Sequence, residues 1–381
     1  MPRKATRLIG VSILGVAAVL VAVAAAGLGY RAWRQQAAAE ILAIRTPNGV
    51  QEGRYVVLGG IQQWIQIRGE DRSNPVLLFV HGGPGRSTLP ISSGWRAWEK
   101  YFTIVQWDQR GAGRSYGMTS DTVAPTMTLE RMTQDGVELA DYLRMRLRKD
   151  KIILAGHSWG SFLGVHIVKA RPELFYAYVG TGQVVGRATF EKAFEITIAR
   201  LQALAQSADN TEALAELAPV ASRPVNNPDN RRVVDKWSRT LALPSNDSFE
   251  LAGPVPPIFM PDFSLLDWYN WRSGAAFSAK YLRGRDGPMV RRDLAALGLE
   301  FPIPVILIEG DADDITPSGP AEQYFERITA PHKEFVTVRG GDHFIPFDRP
   351  DQFLGELVAR VRPLANPPAD EAGPVATRAT P

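Results

Sequence analysis

The stretch KIILAGHSWGS, residues 151–161, joins a run of aliphatic residues directly to a serine that has a glycine on either side. Short and nearly continuous apolar runs are typical of strands buried on both faces of a sheet. The residues that follow, GSFLGVHIVKA, predict a helix. Ser158 therefore stands at a sharp strand-to-helix turn. Gly156 and Gly160 are needed there because the strained serine backbone brings its neighbours too close for side chains.

The same kind of apolar run recurs along the chain. The further runs are PVLLFVHG (75–82), FTIVQWD (102–108), AYVGTG (177–182) and IPVILIEG (303–310). Residues 128–147 carry apolar residues near helical spacing, and residues 54–69 alternate apolar and polar residues around two glycines, which predicts an antiparallel hairpin. This order predicts an α/β fold with a mainly parallel sheet, an antiparallel N-terminal edge and a helical cap inserted between core strands.

The N-terminus carries a targeting signal. Residues 8–30 contain no charge and follow three basic residues, Arg3, Lys4 and Arg7. A helix needs ~20 apolar residues to cross a bilayer, whereas the apolar stretch of a secretory signal peptide has ~7 to 15. We therefore expect an uncleaved single-pass anchor with an extracytoplasmic body, since basic residues favour the cytoplasmic side. The alternative is a cleaved signal peptide ending near AVAAAG, which would give a secreted protein.

The chain divides into six segments by composition. They are the anchor or signal segment (1–30), a linker (31–52), the first part of the core (53–183), the cap (184–298), the second part of the core (299–362) and a tail rich in proline and alanine that we expect to be disordered (363–381). An insertion as large as the cap, placed between two core strands, is typical of a lid over one end of the sheet.

Composition excludes several classes of function. The 381 residues contain no cysteine, which rules out disulfides, thiolate metal sites and a cysteine nucleophile. The formal net charge is +3, and outside the N-terminus the basic residues do not cluster, so we expect no nucleic-acid partner. The sequence contains no HExxH motif that would indicate a metal site. It also lacks the G-x-G-x-x-G and G-K-[ST] motifs that would indicate a nucleotide-binding site. We expect neither a metal nor a cofactor.

The serine turn has the G-x-S-x-G spacing of a nucleophile elbow. The backbone N–H of Trp159, at the start of the following helix, is then free to meet an oxyanion. The loop HGGPG, residues 81–85, follows the first parallel strand, and Gly83 is our candidate for the second donor. The alternatives are a turn serine without chemistry and an ordinary Gly-Pro turn.

A serine nucleophile needs a base, and the base needs an orienting acid. His343 lies on the loop after the strand KEFVTV (333–338), late in the chain, where such a base is expected. Asp311, Asp313 and Asp314 compete for the role of the acid at the exit of the preceding strand. We select Asp313, because the loop must leave the strand and turn before a side chain can reach back to the histidine.

These motifs resemble those of the proline iminopeptidase family within the α/β-hydrolases. The resemblance rests on HGGPG (81–85), DQRGAGRS (108–115), GHSWGS (156–161), GDADDITP (310–317) and GGDHF (340–344). It implies the α/β-hydrolase fold, with Ser158, Asp313 and His343 as the triad and the N–H groups of Gly83 and Trp159 as the oxyanion hole. It also implies hydrolysis of an amide or ester bond, with members of the family often removing an N-terminal proline.

The cap departs from the family pattern. Family enzymes hold the substrate's ammonium group with cap carboxylates beside aromatic side chains, because a desolvated ammonium needs an opposite charge. The candidates here are Glu191, Glu195, Asp267, Trp268 and Trp271. Solvated surface charges and core packing are the competing interpretations of these residues, because DWYNWRSG stands where a tryptophan-glutamate pattern is expected.

Two classes of function follow from the sequence. The first is a membrane-anchored serine hydrolase acting on a small peptide as an aminopeptidase, with a carboxylesterase for small apolar esters as the rival within that class. The second is a non-catalytic binding protein on the same scaffold, which is open because a fold does not fix a function.

Overall fold

The computed structural model describes residues 2–223, 227–243, 252–284 and 286–365. The tail predicted to be disordered, residues 363–381, falls mostly outside this part of the chain, because the description stops at Ala365 within a short helix. Three short pieces of the predicted cap, 224–226, 244–251 and 285, also lie outside the described residues.

The centre of the fold is an eight-stranded sheet with the order β1-β2-β4-β3-β5-β6-β7-β8. Its strands are β1 (Val50–Leu58), β2 (Ile61–Gly69), β3 (Val76–Val80), β4 (Thr103–Trp107), β5 (Ile152–His157), β6 (Phe175–Thr181), β7 (Val305–Gly310) and β8 (Lys333–Val338). The strands from β4 through β3 to β8 pair in parallel, and β1 and β2 form an antiparallel edge. The fold class predicted from the sequence is confirmed.

Helices precede and connect the strands. They are α1 (Pro2–Ile41), α2 (Gly113–Thr119), α3 (Leu129–Leu147), α4 (Trp159–Ala170), α5 (Arg187–Ser207), α6 (Thr211–Ala221), α7 (Pro228–Thr240), α8 (Leu265–Leu282), α9 (Pro288–Arg291), α10 (Ser318–Arg327), α11 (Ile345–Asp348), α12 (Pro350–Glu356) and α13 (Arg362–Ala365). A π-helical turn, Leu357–Val361, joins the last two.

Two apolar cores lie on the two faces of the sheet. The side chains of β3 alternate between them: Leu78 belongs to the larger core, while Leu77 and Phe79 belong to the smaller one. All five residues of β3 are buried. This explains the continuous apolar run in the sequence, since a central parallel strand is covered by helices on both faces.

The helix α1 runs without interruption through the predicted anchor into the predicted linker. Its part Gly15–Ile41 is long and apolar enough to cross a membrane, and the most apolar window of that part has no buried residue. Its last turns do contact the body, where Ala38 and Leu42 pack against Val255. The described chain thus has one long apolar N-terminal helix, and eight residues separate it from β1.

The described part of the cap has two portions. Helices α5, α6 and α7 share a small apolar core of their own. Its buried members are Ile198, Leu201, Ala205, Ala213, Leu217, Val220, Val233 and Trp237. Helix α8 instead packs directly on α2 of the main body, where Gly274 lies against the backbone of Gly111 and Gly113.

A buried ion pair ties the edge hairpin to the body. Arg110 donates through Nε to Asp135 Oδ2 at 2.8 Å, and the two side chains are 1% and 0% exposed. Arg110 Nη2 also donates to the carbonyl of Gly59 in the β1–β2 turn at 3.1 Å. Such a pair is costly to break, because removal of one partner leaves the other charge buried without compensation.

We expect Asp135→Ala to lower the free energy of unfolding by about 3–5 kcal/mol, because Arg110 would be left charged and buried. The measurement is urea unfolding followed by circular dichroism. Asp286→Ala is the matched control, since its 2.7 Å pair with Arg291 is exposed and contributes about 0–1 kcal/mol. Equal losses in the two variants would contradict the role given to the buried pair.

Candidate active site

The turn at Ser158 has the strained geometry that the sequence predicts. Strand β5 ends at His157, α4 begins at Trp159, and Ser158 between them has φ 55° and ψ −121°. A positive φ is rare for a residue with a side chain, and such strain is typical of functional turns. Ser158 itself is half-buried between buried neighbours, so its hydroxyl group stands where the tightly packed turn meets accessible space.

Both flanking glycines are required by close approach of the backbone. A Cβ atom on Gly160 would lie 1.9 Å from the carbonyl oxygen of Val80 at the end of β3. A Cβ atom on Gly156 would lie 2.3 Å from the carbonyl oxygen of Gly160. Contacts this short do not occur, so only glycine permits α4 to start against the ends of β3 and β5.

His343 and Asp313 are directly bonded. His343 Nδ1 donates to Asp313 Oδ2 at 2.8 Å, and both side chains are almost fully buried. Thr316 completes the arrangement: its backbone N–H donates to Asp313 Oδ1 at 2.7 Å and its hydroxyl donates to Oδ2 at 2.8 Å. Burial alone would raise the pKa of Asp313, but the facing imidazole and the Thr316 bonds lower it overall.

The competing aspartates contact other groups. Asp311 Oδ1 accepts a bond from the backbone N–H of Gly340 at 2.6 Å, and Asp314 pairs with Arg200 of α5. Asp342 Oδ1 accepts from the backbone N–H of Phe344 at 2.7 Å. Among the described contacts of His343, Asp313 is the carboxylate that bonds its ring.

The serine turn and the histidine loop meet at the end of β6. The backbone N–H of Ser158 donates to the carbonyl of Thr181 at 3.0 Å. The next residue, Gly182, lies so close to the His343 ring that a Cβ atom there would be 2.9 Å from its Cε1. His157, the residue before the serine, donates through Nε2 to the carbonyl of His343 at 2.8 Å. The serine turn and the histidine loop therefore share two contact points.

Gln109 connects the two loops that carry the predicted oxyanion donors. Its side-chain oxygen accepts from Trp159 Nε1 at 2.9 Å, and its side-chain nitrogen donates to the carbonyl of His81 at 2.9 Å. The two loops are also in contact beside the nucleophile, because a Cβ atom on Gly82 would lie 3.0 Å from Ser158 Cβ. Trp159 is the first residue of α4, so its N–H has no acceptor within the helix.

Glu309, near the end of β7, is a buried carboxyl group that sequence reasoning missed. It has no exposed surface, and both of its oxygens lie 3.2 Å from the backbone N–H of Gln183. Burial, together with the charge of Asp313, raises the pKa of Glu309 well above its usual range. The signal was present in the sequence as one charged residue inside the otherwise apolar run IPVILIEG.

The two predicted cap glutamates lie apart from the serine turn. Glu191 and Glu195 are exposed on α5, and Glu195 pairs with Lys192 at 3.1 Å. Both line a cavity of about 410 Å³ between α5 and the end of α6. That cavity is lined by residues 191–223, so it includes neither the HGGPG loop nor His343.

The third predicted acid, Asp267, forms structural hydrogen bonds. It accepts from Arg114 Nε at 3.0 Å, and it caps the start of α8 through reciprocal bonds with Ser264. Trp268 packs edge-on between Phe263 and Trp271, and its Nε1 is buried without a hydrogen-bond partner. The structure thus gives Asp267 a contact that holds the start of α8 on α2, while Trp268 packs against other aromatic residues of the predicted cap.

Trp271 is the predicted cap residue that lies beside the HGGPG loop. Its Nε1 donates to the carbonyl of Ser87 at 2.8 Å, and its ring lines a cavity of about 460 Å³ together with Gly83. The other lining residues are Pro84, Arg86, Arg272, Ala275, Ala276, Ala279 and Arg283. This lining contains three arginines and no carboxylate. Within the described ranges, no cluster of three or more His, Asp or Glu side chains forms a metal site.

The comparison with protein families decides the identity of the fold. Residues 77–356 match the model of the Alpha/beta hydrolase family, which is nearly three quarters of the chain. The chain is an α/β-hydrolase. Relatives of this α/β-hydrolase are named as proline iminopeptidases, which confirms the resemblance that the motifs indicate.

Three relatives illustrate how far the similarity extends. A probable aminopeptidase, YbaC of Bacillus subtilis, is 28% identical over 309 residues, which are 80% of this chain and 94% of that protein. The proline iminopeptidase of Arabidopsis thaliana is 36% identical over 112 residues, only 29% of this chain and 26% of that one. The proline iminopeptidase of Mycobacterium smegmatis superposes with a TM-score of 0.58 at 17% identity, covering 83% and 99% of the two chains.

We expect Gly160→Ala to destabilise the α/β-hydrolase core severely, because the new methyl group would collide with the carbonyl of Val80. The expected result is insoluble protein or a large drop in melting temperature, measured by differential scanning fluorimetry. Gly319→Ala in α10 is the matched control: no atom lies within 4 Å of its Cβ position, and alanine in a helix is favoured by ~0.5–1 kcal/mol. A Gly160→Ala variant as stable as Gly319→Ala would refute the steric argument.

Two buried histidines predict a loss of stability in acid. Burial lowers the pKa of His157 to about 3 and that of His81 to about 4, both below the ordinary value of 6.5. Between these values and pH 6.5 the unfolded chain binds protons that the folded chain does not, so the free energy of unfolding falls as pH falls. Each group contributes a slope of up to about 1.4 kcal/mol per pH unit.

The measurement is urea unfolding at several pH values below and above 6.5. We expect His157→Gln to flatten the dependence, whereas His332→Gln, at an exposed position, leaves it unchanged. An unaltered slope in His157→Gln would show that other groups cause the acid sensitivity.

Proposed function

We propose that the protein is a serine hydrolase in which Ser158 is the nucleophile, His343 the base and Asp313 the orienting acid. The observation that carries the proposal is the strained Ser158 turn held against the histidine loop, with His343 bonded to Asp313 at 2.8 Å. Nucleophile, base and acid follow one another in the chain order Ser, Asp, His, which is the order of this fold. The N–H groups of Gly83 and Trp159 are the proposed oxyanion hole.

The proposed reaction proceeds through an acyl-enzyme. His343 Nε2 takes the proton of the Ser158 hydroxyl while the serine oxygen attacks the substrate carbonyl carbon. The C–N or C–O bond then breaks, and His343 passes its proton to the leaving group. Water attacks the acyl-serine in the second half of the reaction, with His343 again taking and returning a proton. Asp313 keeps Nδ1 protonated throughout and stabilises the imidazolium.

We expect Ser158→Ala to reduce kcat by about 10⁶-fold and Asp313→Asn by about 10⁴-fold, since loss of the nucleophile and loss of the orienting acid in serine hydrolases have effects of those orders. Hydrolysis of a p-nitrophenyl ester by the full-length chain in detergent measures the loss. Asp311→Asn is the matched control, because Asp311 bonds only a loop N–H among its described contacts. Similar activity in Asp313→Asn and Asp311→Asn would remove Asp313 from the triad.

The named relatives support an aminopeptidase activity, with short peptides as the substrate class. An aminopeptidase must bind the ammonium group of its substrate with negative charge. The cap acids that remain for this role are Glu191 and Glu195, whose carboxylates are exposed on α5, because Asp267 is bound by Arg114. Because the ammonium group of the residue removed lies one residue from the scissile carbonyl, this role requires α5 to approach Ser158 more closely when substrate is bound than it does in the present structure.

A carboxylesterase is the second candidate, and the cavity beside Gly83 favours it. That cavity contacts the proposed oxyanion loop, and its lining of alanines, a tryptophan and three arginines offers an ammonium group no counter-charge. A neutral or anionic ester group would meet no such electrostatic conflict there.

Three substrates separate these candidates in the full-length chain. Proline-β-naphthylamide tests for an aminopeptidase, its N-acetyl derivative removes the ammonium charge, and p-nitrophenyl butyrate tests for an esterase. An aminopeptidase turns over the free amine far faster than the acetylated form, whereas an esterase turns over the butyrate alone. The absence of turnover on all three, with no labelling of Ser158 by a fluorophosphonate, would support the non-catalytic binding protein instead.

We also propose that α1 is an uncleaved anchor with the catalytic body on the extracytoplasmic side. The proposal rests on the 23 uncharged residues 8–30, preceded by Arg3, Lys4 and Arg7. It is supported by the helix itself, because the body leaves the most apolar 18-residue window within Gly15–Ile41 uncovered. The intact mass of the protein extracted from membranes tests it, because cleavage near residue 26 would remove about a fifteenth of the chain.

A further inference from the structure

The segment 258–263 of the cap is fastened to α1 just beyond its uncharged stretch. Arg31 donates through Nε to the carbonyl of Ile258 at 3.2 Å, and through Nη2 to the carbonyl of Phe263. Gln35 Nε2 donates to the carbonyls of Met260 and Phe263 at 2.8 and 3.0 Å. Four hydrogen bonds to backbone carbonyls within these six residues make this a fixed junction between α1 and the cap.

Aromatic contacts reinforce the same junction. The guanidinium of Arg34 lies 4.4 Å from the centroid of the Phe259 ring, and the Tyr30 ring meets Phe259 edge-on with centroids 5.9 Å apart. A cation placed over an aromatic ring adds about 0.5–2 kcal/mol, depending on exposure. The position of the cap relative to α1 is therefore set by several independent contacts.

Around this junction the protein exposes large apolar side chains, which we name the apolar patch. Its members are Tyr30 (51% exposed), Trp33 (63%), Ile258 (52%), Leu265 (54%), Leu266 (65%) and Tyr269 (65%). Leu265, Leu266 and Tyr269 lie on one face of the first turns of α8, since positions three and four apart are neighbours on a helix. Clusters of exposed apolar side chains mark binding surfaces, because water hydrates them poorly.

We propose that the apolar patch rests in the headgroup region of the membrane, so that the cap, and not only α1, contacts the lipid. The proposal depends on the anchor proposed above and is independent of the catalytic reaction. Lipid is the occupant that the structure favours, because the patch is continuous with the helix that would cross the bilayer. A soluble partner protein would have to bind at this same junction, against the bilayer surface.

Helix geometry places the apolar patch at the level of the lipid headgroups when residues 8–30 cross the bilayer core. The 23 residues 8–30 span about 35 Å at 1.5 Å per residue, close to the ~30 Å thickness of a bilayer core. Tyr30 and Trp33 then lie at the interface, where aromatic side chains collect, and Arg31 and Arg34 lie among the headgroups. Leu266 is three residues from Phe263, hence within about 10 Å of the backbone that Arg31 binds.

The absence of cysteine from the chain permits a direct test in the intact protein. Leu266→Cys and Tyr269→Cys each introduce a single thiol, which is labelled with the fluorophore NBD. The full-length protein is then placed in vesicles of phosphatidylcholine and phosphatidylglycerol that contain a nitroxide-labelled lipid. Met145→Cys is the matched control, because Met145 is 75% exposed in the last turn of α3, which belongs to neither α1 nor the predicted cap.

We expect labels at 266 and 269 to shift their emission to the blue and to lose roughly half of it to the nitroxide, as groups buried ~5–10 Å into the interface do. The label at 145 should keep its emission. Quenching at 266 and 269 no greater than at 145 overturns the proposal, provided that intact mass shows the whole chain. A chain found cleaved near residue 26 in the expressing cell instead overturns the anchor, and the membrane contact of the patch with it.

Discussion

The site depends on the contact between Gly160 and the carbonyl of Val80. Because no side chain stands between them, α4 starts directly against the end of β3, and Ser158 has no room for an ordinary backbone conformation. The same contact brings the HGGPG loop, which continues from β3, against the serine. One close approach of two backbones thus sets the strain at the nucleophile and the distance between the two proposed oxyanion donors.

Polar side chains in the interior keep this arrangement in place. The side-chain amide of Gln109 bonds both the Trp159 ring and the His81 carbonyl, so it holds the two loops together. Glu309 holds the backbone of Gln183, next to the Gly182 that contacts His343. Each group is fully buried, and a buried polar group without its partner costs free energy. The loops of the proposed active site therefore depend on buried residues outside the proposed triad and oxyanion hole.

Local pattern explains what the sequence predicts and what it does not. The apolar runs predict the strands, because a parallel strand buried on both faces consists almost entirely of apolar residues. The glycines predict the elbow, because only a residue without a side chain fits at those two positions of the turn. Asp313 follows from the geometry of a strand exit. Pairs such as Arg110 with Asp135, or Asp267 with Arg114, join residues 25 and 153 positions apart, and no local spacing marks them. The sequence therefore makes Asp267 a candidate substrate ligand, whereas in the fold it pairs with Arg114 and caps α8.

The two portions of the cap differ in how they are held. Helix α8 is held at its start by Arg114 and along its length by Gly274, which fits against Gly111 without space for a side chain. Helices α5, α6 and α7 enclose an apolar core of their own, and α5 is also joined to the second part of the main body by the ion pair of Arg200 with Asp314. One portion of the cap thus takes its packing from the main body, and the other supplies most of its own. A substitution inside the apolar core of α5–α7 would therefore disturb that portion and leave the contact of α8 with α2 intact.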